Sequence, residues 1–131
     1  MSESLSDRLT VKVGDEDRQL FMSFGILNAI ASALGNNIEN VGMISVNPDL
    51  RNGVLGALLS KRDEKGVITE EFNSFVTELS TEDGEKILEW AGDHVLGFFI
   101  RAMETQARLV EKNKERVAKF ASTASAAGSK A

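Results

Sequence analysis

Leu9-Thr10-Val11-Lys12-Val13 alternates apolar and polar residues, the period of a strand with one face against a core. Gly14-Asp15-Glu16-Asp17-Arg18 is turn chemistry, and Gln19 to Phe24 returns as a second strand. The pattern predicts a hairpin over about 9–24, behind a short leader, residues 1–8, that reads as frayed. A lone hairpin is marginal in water, so helices are expected to cover it.

The period then changes. Ile26, Leu27, Ile30, Ala31 and Leu34 fall on one helical face, with Ser23 as N-cap and Gly35 as the stop, giving a helix over about 25–34. Residues 36–46 leave two readings open: Val41, Ile44 and Val46 fit a short strand or a packed loop. Asn47-Pro48-Asp49 starts a second helix over about 48–60, because Pro at the first helical position loses no needed N–H. Its core face is Leu50, Val54, Leu55, Leu58 and Leu59. Gly53 and Gly56 weaken it by about 1 kcal/mol each relative to Ala. After a charged loop over 61–66, Thr69 reads as the cap of a third helix, over 69–79, with Phe72, Phe75, Val76 and Leu79 on one face. Ser80 and Asp83 resemble a capping box opening the last helix, which is expected to run over 81–120.

That last helix changes character along its length. Ile87, Leu88, Trp90, Ala91, Val95, Phe98 and Ile100 form a band wide enough for core packing. Leu96, Phe99, Met103, Gln106, Val110, Asn113, Val117 and Phe120 recur at alternating spacings of three and four, the a/d seam of a coiled coil. The division is placed near Met103. Beyond it a narrow apolar stripe needs a cover, either the protein's own hairpin or first helix, or a second chain. The expected architecture is mainly α: a single compact helical domain over 1–121 with a small N-terminal β-hairpin and a long C-terminal helix. A flexible Ala/Ser tail is expected over 122–131.

Composition adds a charge asymmetry. The net charge of the 131 residues is -5. Residues 1–100 carry 8 Lys/Arg against 17 Asp/Glu (net -9), and residues 101–131 carry 7 against 3 (net +4). An acidic body with a basic arm suits head-to-tail attraction between copies, or an acidic partner. Glu111 and Glu115 interrupt the basic run Lys112, Lys114, Arg116 and Lys119, which weakens any case for nucleic acid. The longest apolar run, Val95 to Ile100, is far short of the about 20 residues of a membrane span.

Candidate chemistry is sparse. There is no Cys and no Tyr, and one His. His94 lies mid-helix without a Gly-x-Ser-x-Gly elbow, and reads as structural or surface rather than as a base. Asn52-Gly53-Val54-Leu55-Gly56 lacks the Gly-Lys-Ser/Thr ending of a phosphate loop. Asp15-Glu16-Asp17 lacks the spacing of a calcium loop. Glu70-Glu71 and Glu82-Asp83 sit where helix dipoles favour acids. No catalytic, cofactor or metal site is expected, and an enzyme built on His94 and nearby carboxylates is the least favoured reading.

Two segments, VKVGDEDRQLFMSFGILNAIASALGN and EKILEWAGDHVLGFFIRAMET, resemble tail assembly chaperones of long non-contractile-tailed, lambda-like bacteriophages. The resemblance spans about residues 9–120 and is diffuse, without catalytic signatures. It implies a non-enzymatic chaperone that self-associates and binds the tape measure protein, a long helical chain, during tail morphogenesis. It further implies the bacterial host cytoplasm as location, absence from the mature virion, and no cofactor. This chain would be the short form of a frameshift pair, the longer form recruiting the tail tube protein. The expected contact residues are Phe98, Phe99, Met103, Val110, Val117 and Phe120, with one of Phe98 and Phe99 spent in the core. Met and Phe adapt to irregular partners. The alternative is a small helical protein-binding adaptor or regulator of a bacterium or phage.

Overall fold

Strand β1 (Arg8–Val13) pairs antiparallel with β2 (Glu16–Phe21), in a register that sets Leu9 against Leu20 and Val13 against Glu16. The reversal takes only Gly14 and Asp15, and Gly14 turns at φ 63, where a Cβ would be strained. Val11, Leu20 and Met22 are buried, as the alternation requires. The structure, a computed structural model, describes residues 5–73 and 78–128, with side chains to Ala121. It comprises two units, residues 1–99 and 100–131.

In the first unit, helix α1 (Phe24–Ala33) begins where the Ser23 side chain accepts from the Ile26 N–H at 3.2 Å. It ends where Gly35 (φ 66) and Asn36 (φ 54) go left-handed and Asn36 N–H returns to the Ala31 carbonyl at 2.8 Å. The ambiguous segment is a 3₁₀ helix (Ile38–Met43) capped by Asn37, followed by a buried Ile44 and an exposed Val46. It is a packed turn, not a strand. Helix α2 (Pro48–Leu59) starts on the Asn47 side chain, which accepts from both Asp49 and Leu50. A Cβ on Gly53 would lie 3.1 Å from that of Ala33, so this glycine lets α1 and α2 approach closely. The end of α2 receives two guanidinium donors: Arg18 to the Leu59 carbonyl at 2.7 Å, and Arg62 to that of Ala57 at 3.3 Å. Both complement orphan carbonyls at the negative end of the helix dipole.

Three expectations need correction. A helix over 69–79 does not form among the described residues of that segment. Strand β3 (Lys61–Arg62) pairs with β4 (Ile68–Glu70), residues 71–73 are irregular, and Leu79 bridges to Val13. Phe75 and Val76 lie outside the described residues. The physical reason is the turn: the Asp63 carboxylate accepts from Lys65 and Val67 N–H, and Gly66 adopts φ 82. β-branched Val67, Ile68 and Thr69 then favour a strand. The leader is also tied down from Ser6 onward, since the Asp7 carbonyl accepts from Met22 N–H at 2.7 Å. Residues 1–4 lie outside the described residues. Finally, helix α3 runs Thr81–Gly128, so most of the segment expected as a flexible tail has a helical backbone. Residues 129–131 lie outside the described residues.

The chain is mainly α, with the small N-terminal hairpin and the long C-terminal helix that the sequence pattern predicts. The core of the first unit joins Val11 and Leu20 of the hairpin to Ile30 and Leu34 of α1, Val54 and Leu59 of α2, and Ile87 and Val95 of α3. No helix among the described residues is long and apolar enough to cross a membrane.

Candidate protein-interaction surface

Helix α3 opens with Ser80 accepting from Asp83 N–H at 3.0 Å. The return bond of a capping box is missing, because the Asp83 carboxylate accepts from Lys12 N–H of β1 instead, at 3.3 Å. From there Ile87, Ala91, Val95 and Phe99, each four residues on, form a buried line flanked by Leu88 and Trp90. Phe99 is the last buried residue of the helix, and the boundary between the units falls directly after it. The expected division near Met103 therefore sits four residues too late.

Two of the six expected contact residues belong to the first unit. Phe99 is buried in the core, and Phe98 packs partly buried against it. Phe98 also meets Phe24 edge to face, with ring centroids 5.8 Å apart, and Phe99 at 6.3 Å. Of the pair only Phe99 is buried in the core; Phe98 finds its partner in Phe24, at the exposed start of α1.

The second unit is helix from Ile100 on, and a single helix covers no face of its own. Every residue from Ile100 to Ala121 is exposed. Met103 (54%), Val110 (45%), Val117 (66%) and Phe120 (76%), the other four expected residues, line up on one side. Two further apolar residues, Ile100 and Leu109, are exposed beside them. Ile100, Ala107, Lys114 and Ala121 form a column adjoining Met103, Val110 and Val117. The apolar face is thus three columns wide, broken by Gln106, Asn113 and Lys114. Such a face is broader than a two-stranded seam. The seven-residue spacing of Ile100, Ala107, Lys114 and Ala121 was legible in the sequence, but the wide band had assigned Ile100 to the core.

A groove of about 760 Å³ lies in the first unit, between the start of α3 and the segment from the 3₁₀ helix to α2. Gly84, Leu88, Gly92 and Leu96 of α3 line it at i+4 intervals, opposite Val41, Ile44 and Leu55. A Cβ on Gly92 would meet nothing within 4 Å, so the groove is open there. Glu85, Glu89 and Asp93, also four apart, form an acidic edge, and Arg51 is the basic residue in the lining. Sequence reading missed this site. Its signal was the pair Gly84 and Gly92 within an otherwise strong helix, where glycine costs about 1 kcal/mol.

His94 faces elsewhere. Its Nε2 lies 2.7 Å from the Ser6 carbonyl oxygen, which also accepts from Trp90 Nε1 at 2.8 Å. A carbonyl only accepts, so His94 Nε2 carries its hydrogen and is engaged as a donor. No group of three or more His, Asp or Glu side chains suited to a metal ion occurs among the described residues. Two surface features stand out among the described residues, an apolar helix face and an acidic-edged groove. No protein-family model, no curated protein and no solved structure matches the chain.

Proposed function

We propose that the protein is a non-enzymatic tail assembly chaperone of a long-tailed phage, which self-associates and holds the helical tape measure protein until the tail tube forms around it. The observation that carries this reading is the face of Ile100, Met103, Val110, Val117 and Phe120, apolar, helical and exposed along about 30 Å of α3. A solvent-exposed apolar face of this length is a docking surface more than a surface accident. A helical client lays its own apolar stripe on such a face. The resemblance of residues 11–36 and 85–105 to these chaperones supplies the identity of the client, and with it the host cytoplasm, the frameshifted longer form and its tail tube partner. The acidic first unit keeps the protein soluble while the basic second unit meets the partner.

Co-expression with the tape measure protein encoded beside it tests the reading. The client is expected in the soluble fraction with this chain and in the pellet without it. Equal insolubility in both would overturn the proposal. A small adaptor for some other protein, the second reading, fits the same face; an overlapping downstream frame followed by a very long helical reading frame would favour the chaperone.

A further inference from the structure

We infer that the partner in self-association is the acidic groove of a second copy: the apolar face of one chain's residues 100–121 seats between α3 and α2 of its neighbour, so that copies join head to tail until the client, which takes the same face, displaces the neighbour. This deepens the proposed self-association, and rests on it, but does not depend on which client is held.

Two observations meet here. The groove and the helix face match in chemistry. Gly92 leaves the groove open at one turn of α3, Gly84 lies against the Leu79 side chain, and Leu88 and Leu96 line the turns after them. The arm presents small and medium apolar groups (Ala107, Val110, Val117), which let a helix approach closely. The charges match as well. Glu85, Glu89 and Asp93 edge the groove, while Lys114 lies within the arm's apolar face, with Arg116 beside one edge of it and Glu111 beside the other. The whole-unit imbalance, 8 basic against 17 acidic residues in 1–99 and 7 against 3 in 100–131, steers unlike units together and holds like units apart. Because the two contacting surfaces differ, the contact is heterologous, and it extends from copy to copy unless rotation closes a ring.

Two variants of the full chain test this by sedimentation velocity. Gly92→Leu fills the groove at an open position and improves helix propensity. Val110→Asp with Val117→Asp spoils the arm. Each is expected to sediment as a monomer at concentrations where the parent chain assembles. Mixed in equal amounts they are expected to form a 1:1 dimer, since one retains its arm and the other its groove. A second groove variant, Glu85→Lys with Glu89→Lys, changes exposed residues only and is expected to behave as Gly92→Leu does. A Gly92→Leu chain that assembles like the parent, a mixture that stays monomeric, or a parent monomeric throughout would each overturn the inference. Arm-to-arm assembly gives the first of these results and leaves the chaperone reading to the client experiment.

Discussion

The indole Nε1 of Trp90 donates to the main-chain carbonyl of Ser6 at 2.8 Å, joining residues 84 positions apart. The His94 ring donates to the same oxygen and stacks edge to face on the indole, with centroids 5.2 Å apart. Two side chains one helical turn apart on α3 thus hold the entry to β1. Trp90 is the chain's single tryptophan, so its fluorescence reports this anchor and the unfolding of the first unit.

Trp90→Phe removes a donor while keeping most of the apolar body. It is expected to lower stability by about 1–3 kcal/mol, combining a lost hydrogen bond with lost burial. His94→Ala is expected to cost less, about 0.5–1.5 kcal/mol, because Trp90 still satisfies the carbonyl. Urea titration followed by circular dichroism measures both. Equal losses would contradict the shared anchor.

Phe98 and Phe99 differ in burial, so their truncations separate. Phe99→Ala opens the core and is expected to cost about 3–5 kcal/mol. Phe98→Ala removes a partly buried ring and its edge-to-face contact with Phe24, and is expected to cost about 1–2 kcal/mol. Phe24→Ala is expected to cancel part of the Phe98 loss in a double-mutant cycle, read by urea titration. Strict additivity would show that the ring pair contributes nothing.

Glycines in α2 give opposite signs. A Cβ at Gly56 meets nothing within 4 Å, so Gly56→Ala is expected to raise stability by about 0.5–1 kcal/mol. At Gly53 the new Cβ would crowd Ala33 at 3.1 Å, and the helices must part. Gly53→Ala is expected to gain nothing or to lose stability despite the same propensity gain. Thermal melts of the two variants decide it.

Period and punctuation made much of this fold legible. Ser23, Gly35, Asn47-Pro48 and Ser80 act as the caps and stops that their residue types suggest, because those signals are local. The misreadings arise where a local signal has two outlets. Thr69-Glu70 has the chemistry of a helix start, but the Asp63 carboxylate and Gly66 close a turn first and commit it to a strand. Asp83 suits a capping box, yet β1 offers it the Lys12 N–H. On α3, the apolar spacing was visible and its division was placed four residues late, since only the packing shows that burial ends at Phe99. The groove was not legible because its walls come from segments far apart in sequence.

The arm's apolar face is expected to contribute little to the first unit's own stability. Val110→Asp with Val117→Asp should leave the urea midpoint of Trp90 fluorescence within about 0.5 kcal/mol of the parent at concentrations where the parent is monomeric. A loss above about 2 kcal/mol would mean that these side chains are spent on the fold.

The same double substitution tests the central claim when the client is present. Each chain is co-expressed with the neighbouring tape measure protein, and the client in the soluble fraction that co-purifies with it is measured. The account predicts that the parent chain retains the client and that the Val110→Asp, Val117→Asp chain, equally folded, releases it to the pellet. Equal retention by both chains, or by neither, would contradict the assignment of this helix face as the surface that holds the client.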